Sequence, residues 1–295
     1  MAETTDIKGV GEKEALFPYL RWTAIQRWEH ILMIVSVFIL LYTGLPLMFS
    51  NASWAQTLVN SVGGMDNRGL LHRIGAVIMI GTGVFHVLYH IVLEQKLSPG
   101  RIWEHPMMIR GKDFSDFFQH LKYNLHLTSE FPKMGRYWWF AKLHYFSLLW
   151  GFTIMILSGL PLWFKDQFVN ILPPRFMSVL PILHGDEAVL ALLFTFTLHM
   201  YDVHYQFEVF PMRLTFLHGH TTMHRMRKWH PLELESIKEK IAKGEQLPSK
   251  SSLLEPLNPI QRILDSLNSL YPLGALVFLV GVYLSIYFIR LVGHF

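Results

Sequence analysis

Cysteine is absent from the 295-residue chain, which excludes disulfides, thiolate zinc sites, iron-sulfur clusters and the C-x-x-C-H attachment of c-type haem together. Any metal must be held by nitrogen or oxygen. Charge is scarce as well: Asp, Glu, Lys and Arg make up 16% of the residues, against roughly 25% in soluble domains. The 51% hydrophobic residues are gathered into blocks too long for a soluble core helix. A removable signal peptide is not expected, because the opening MAETTDIKGVGEKEALF has no apolar h-region beside it and no small-residue cleavage pattern follows the first apolar block.

What is present is apolar length and histidine. A bilayer core of about 30 Å takes roughly 20 mostly apolar residues per helix, and five stretches qualify, at 31–50, 71–93, 143–164, 182–204 and 270–292. Lys and Arg number 4 before the first stretch, 1 in 51–70, 8 in 94–142, 2 in 165–181 and 9 in 205–269. By the positive-inside rule the N-terminus, the second loop and the segment before helix 5 are cytoplasmic. That leaves the C-terminus outside, where Arg290 and His294 fit less well. The expected organisation is an N-terminal cytoplasmic segment (1–29), a four-helix core (30–204), a cytoplasmic basic, His-rich segment (205–269) and a fifth transmembrane helix (270–295). The third of these reads either as a cap facing a partner or anionic headgroups, or as a solvated tail.

An internal repeat divides the core. Helix 1 ends YTGLPLMF and helix 3 ends LSGLPLWF, while helices 2 and 4 each open with a histidine and carry another about four turns on. A two-helix hairpin is duplicated in parallel orientation. The histidines, 16 in all, carry the chemistry. His72 and His86 are 14 residues apart, and His184 and His199 are 15 apart. At 100° and 1.5 Å per residue such spacings return within about 40° to 60° of one face, about 21 Å further along. Each pair can face the bundle interior with one member near each side of the membrane.

A polar side chain in hydrocarbon must find a partner. Haem iron meets that need, because two facing helices supply two neutral imidazoles as axial ligands. Two levels of histidine imply two stacked haems, and small residues such as Gly75, Ala76, Gly81, Gly83, Gly185, Ala188 and Ala191 leave room for a flat macrocycle. Isolated interfacial histidines such as His90 and His144 read as core or headgroup contacts. His30, in RWEHILM, is a further candidate, so His30, His86 and His199 crowd the inner level. Either His86 has another role or a third haem exists, using His86 with His90 or His204.

The motif order resembles the cytochrome b, or gamma, subunit of membrane-bound formate dehydrogenases and the wider family of di-haem quinone-reactive b-type cytochromes. RWEHILMIVSVFILLYTGLPLMF is similar to that family's first helix, LLHRIGA to the start of its second, LPILHGDEAVLALLFTFTLH to its fourth, and MHRMRKWHPLELE to the basic stretch that closes its core. The resemblance runs from about Trp22 to Glu235. It implies an outer haem held by His72 and His184 and an inner one held by His30 and His199, and so chooses His30 over His86. The His184–His199 spacing is one residue longer than in the formate dehydrogenase type. The Asn-x-Gly element associated there with the inner quinone pocket reads RYWWFAK, with Trp138 and Phe140 at the corresponding places. The HGDEA and HMYDVH segments are closer to b-type cytochromes found with multihaem c-type partners.

The expectation is therefore an all-α integral membrane four-helix haem-binding bundle with an additional fifth transmembrane helix, carrying two haem b groups with a third as the alternative. It acts as the electron-transfer subunit of a quinone-linked respiratory oxidoreductase complex in a prokaryotic inner membrane. Menaquinone or ubiquinone is the expected substrate, an iron-sulfur or multihaem c-type cytochrome subunit the partner, and lipid the surroundings; no nucleic acid is expected. Glu29, Tyr137 and Lys142, with His204, are the polar candidates for the quinone site. Competing readings are a proton or metal transporter with a histidine relay, which has few acidic groups within the helices to work with, and a non-redox membrane anchor.

Overall fold

The computed structural model describes residues 16–93, 104–206 and 209–244. The expected fifth helix at 270–292 lies outside the described residues. Four helices are long and apolar enough to cross a membrane: Ala24–Met48 (α1), the helix from Met65 (α3, Met65–His86, continuing as a π-helical stretch Val87–Leu93), Trp139–Trp163 (α5), and the helix from Pro174 (α7, Pro174–Phe194, followed by π-helical stretches Thr195–His199 and Tyr201–Tyr205). The chain is a multi-pass membrane protein built as an all-α bundle. Each helix begins before its apolar block, because polar first turns are stabilised by local chemistry that hydropathy does not register. In α1, Thr23 accepts from the Gln26 N–H while the Gln26 side chain accepts from the Thr23 N–H, a reciprocal capping box. In α7, Pro174 occupies the first turn, where its missing N–H is not needed.

The bundle is polar and small inside, apolar outside. Ser36, Thr43, Thr82 and Ser158 are buried, while Phe38, Val77, Trp150 and Leu157 are exposed. Lipid is as apolar as leucine, so close backbone approach and interhelical hydrogen bonds replace a hydrophobic core. α1 packs along α3, α5 along α7, and α1 also touches α7. Gly75 belongs to this packing: a Cβ there would stand 2.9 Å from Ile39 Cγ2, so it serves the α1–α3 contact rather than room for a macrocycle. Short helices Ser53–Ser61 (α2) and Lys165–Phe168 (α6) link the spans at one end.

The other end is capped. Gly111–Asn124 (α4), Thr215–His218 (α8), Met223–Trp229 (α9) and Pro231–Ala242 (α10) lie there with an antiparallel two-stranded ribbon of Leu16–Leu20 (β1) and His220–Thr222 (β2). Gly219, at φ +83°, turns the chain so that its carbonyl accepts from the N–H groups of Arg21 and Trp22. A Cβ at Gly219 would meet the Trp22 carbonyl oxygen at 2.6 Å. Glu233 bridges Arg21 (2.7 Å) and Arg136 (2.9 Å), and Met226, Leu234 and Ile237 form a small buried cluster.

Residues 209–244 are thus neither a solvated tail nor a wholly headgroup-facing basic patch. His218, His220 and His230 are buried, and exposure is left to residues such as Arg227 and Lys228. Basic residues are needed inside the cap because it gathers carbonyls and Glu233 from three separate segments. Burial, reinforced by Arg21, holds His230 well below its usual value of 6.5, so it is neutral in the fold. Above that value neither state carries a proton; as pH falls below it, only the opened cap gains one. Cap stability should then fall by up to about 1.4 kcal/mol per pH unit. Limited proteolysis within 209–244 should be faster at acid than at neutral pH, and His230→Asn should flatten the dependence.

Candidate functional site

The two ends of the repeat build the same local arrangement. Thr43 Oγ1 donates to the Ile39 carbonyl (2.6 Å) and lies 2.9 Å from His72 Nδ1; Ser158 Oγ donates to the Ile154 carbonyl (2.6 Å) and lies 2.9 Å from His184 Nδ1. A hydroxyl has one proton, so each must accept from the imidazole Nδ1–H. Nδ1 of each ring is thereby committed to the hydroxyl, which leaves Nε2 as the nitrogen available to a ligand. The glycine that follows each hydroxyl makes room for the ring. A Cβ at Gly159 would stand 2.9 Å from His184 Cε1, and one at Gly44 would stand 3.3 Å from His72 Cε1. The duplicated small-Gly-Leu-Pro motif is therefore half of a histidine site: an acceptor for its N–H and a flat place for its edge. The two rings face each other across the bundle, with centroids 6.4 Å apart at 68°.

A second opposed pair lies at the capped end. His30 and His199 have centroids 6.4 Å apart at 52°. His30 packs edge-on to Trp22 at 5.4 Å and against Phe216 at 5.3 Å, and its Nδ1 is buried with no hydrogen-bond partner among the described residues. The π-helical stretch Thr195–His199 explains how His199 arrives there. The wider π turn absorbs one residue, so a spacing of 15 from His184 behaves as a spacing of 14 would in a regular helix. His199 accordingly lies opposite His30.

His144 also belongs to this end, which its reading as a core or headgroup contact does not anticipate. Its ring lies 5.7 Å from His199 and 4.2 Å from Phe140, and its Nε2 is buried without a partner among the described residues. The repeat register is the signal that could have found it. The offset carrying Thr43 onto Ser158 also carries Glu29 onto His144 and His30 onto Tyr145.

His86 stands apart from the His30–His199 pair. Its Nε2 lies 2.9 Å from Tyr145 Oη and its Nδ1 3.4 Å from the Glu29 carboxylate. His90 Nε2 reaches the same carboxylate at 3.1 Å. The His86 and His90 rings sit on successive turns of one helix, 4.7 Å apart. Both reach the same carboxylate and lie side by side on one helix. His204 Nδ1 lies 3.4 Å from the Pro211 carbonyl, a contact that ties the end of the fourth span to the following turn.

The remaining candidates are dispersed. Lys142 is buried and donates to Asp113 Oδ2 (2.8 Å) and the Met108 carbonyl (3.0 Å), fastening α5 to the segment containing α4. Tyr137 is engaged by Arg136, whose guanidinium stacks 5.6 Å from its ring centre. Among the described residues, Glu29 is grouped with His86 and His90. Comparison with protein-family models finds no match to the chain, and neither does comparison with curated proteins.

Proposed function

We propose that this chain is a di-haem b-type cytochrome subunit that carries electrons across a prokaryotic inner membrane, between a quinone pool on the capped, cytoplasmic side and a peripheral iron-sulfur or multihaem c-type partner on the other. The observation that carries the reading is the opposed His72–His184 pair, with both tautomers set by hydroxyls. A metal ion between two imidazoles needs two bonds of about 2 Å and about 1.1 Å from each nitrogen to its ring centre, a total of about 6 Å. The 6.4 Å separations of His72–His184 and His30–His199 fit that span.

The donor set also fits: neutral imidazole nitrogens, no thiolate, glycines where the rings meet the helices, and a buried His30 Nδ1 without a partner among the described residues. His72 and His184 would hold one haem, His30 and His199 the other. Bound haem would supply the one-electron redox change, with the protein supplying position and potential. Thr43 and Ser158 orient the two imidazoles and raise their basicity by accepting their N–H groups. Quinone exchange is assigned to the capped end, where Lys142 and Tyr137 are already engaged by protein groups and so form its frame.

The test is a reduced-minus-oxidised optical spectrum of the purified protein with pyridine haemochrome quantification. A sharp b-type α-band and about two haems per chain support the proposal. Correctly folded, active protein without porphyrin overturns it and returns the choice to the transporter or anchor. Loss of outer-shell partners of metal-bound histidines weakens binding about 10- to 100-fold. Thr43→Val and Ser158→Ala should each loosen one haem by that order, read as faster transfer to apomyoglobin.

A further inference from the structure

We infer that Glu29, His86 and His90 form a binding site for a divalent transition-metal ion of the zinc class, distinct from the two opposed histidine pairs. One ligand atom from each residue falls within 4.8 Å of the other two. Glu29 Oε2 is 3.1 Å from His90 Nε2, and His86 Nδ1 is 3.4 Å from the Glu29 carboxylate. Tetrahedral ligands at about 2.0–2.1 Å from an ion stand about 3.3 Å from one another, so the two nitrogen–carboxylate distances are those a bound ion would set.

The donor chemistry points the same way. Two histidines four residues apart on one helix present their rings to one side, and a carboxylate from a second helix completes a His2Glu set of the kind that zinc occupies. Glu29 is buried, its side chain only 9% exposed, and its Oε1 has no hydrogen-bond partner among the described residues. That oxygen lies 3.4 Å from His86 Nδ1 without a hydrogen bond; burying such a carboxylate oxygen is costly, and a cation offsets that cost. The other nitrogen of His86 lies 2.9 Å from Tyr145 Oη, the outer contact that fixes the ring and tautomer of a metal-bound histidine. The His86 side chain is 31% exposed, so protein does not close the site on every side. Imidazole and carboxylate without sulfur favour zinc, copper or nickel over calcium and magnesium, which take oxygen ligands.

Glu29 immediately precedes His30, so the ion would pin α1 to α3 beside the capped-end imidazole pair. The inference is independent of haem, because its readout is bound zinc. Detergent-solubilised full-length chain, stripped with chelator and equilibrated with Zn(II), should retain about one more zinc per chain than Glu29→Gln or His90→Gln, by elemental analysis with iron counted separately. Tyr145→Phe should keep the ion with about 10- to 100-fold weaker affinity. Equal zinc in wild type and both variants, at equal helical content, would overturn the site. If the variants do not fold, X-ray absorption at the zinc edge of the wild type decides. Two imidazoles and a carboxylate oxygen at about 2.0–2.1 Å support the site, and a shell of water oxygens, or no bound zinc, overturns it.

Discussion

Replacing His72 or His184 with alanine is expected to halve the haem content of the purified protein, from about two to about one per chain, with the b-type α-band falling in proportion. Each of these histidines is one of two imidazoles paired at its level among the described residues, and its partner sits on a different helix. Losing one ligand leaves a single neutral imidazole and a cavity floored by glycine, with no described histidine placed to substitute. The helices should survive, because α1–α3 and α5–α7 packing also includes contacts away from these rings, such as Gly75 against Ile39. The remaining haem, assigned to His30 and His199, should be retained and reducible. Full occupancy in both variants, at unchanged helical content, would contradict the assignment.

Glu233→Ala should destabilise the cap by about 3–5 kcal/mol, the effect of removing one partner from a buried charge pair. The Glu233 carboxylate joins two guanidiniums from distant segments, Arg21 and Arg136, and its own side chain is only 7% exposed. Burial pushes Arg21 down to about 10, and the Glu233 carboxylate is the chief influence opposing it. Without that carboxylate the two cations face each other in a site that excludes water. Arg21 also donates to the Arg136 carbonyl, and His230 Nδ1 lies 2.8 Å from the Gly135 carbonyl, so three chain segments loosen together. The expected readouts are faster tryptic cleavage at the exposed Arg227 and Lys228 and a lower melting temperature in detergent, with the His72–His184 end unaffected. Cleavage and melting at wild-type values would show that the ion triad contributes nothing.

Four of the expected helices are where hydropathy puts them, because apolar length against bilayer thickness is a local, additive property. The repeat was legible for the same reason: Thr43-Gly44 and Ser158-Gly159 recur in the chain as plainly as they recur in space. Why those residues are needed was not legible, since the hydroxyl accepts from a histidine on another helix. The capped end was less legible still. His144 reads as a core or headgroup contact, His86 as a competitor of His30, and Lys142 as a polar candidate for the quinone site, whereas the structure groups them with His199, Glu29 and Asp113 respectively.

The sequence by itself determined the existence and order of the four described membrane-length helices, the duplication, and the presence of histidines at two depths, since period and rise along one helix follow from residue order. The tertiary structure decided which imidazoles oppose one another. That choice depends on helix rotation, on a π turn that shifts His199 by one residue, and on the small-residue contacts that set how closely neighbouring backbones approach, and these are properties of pairs of helices, not of any one segment.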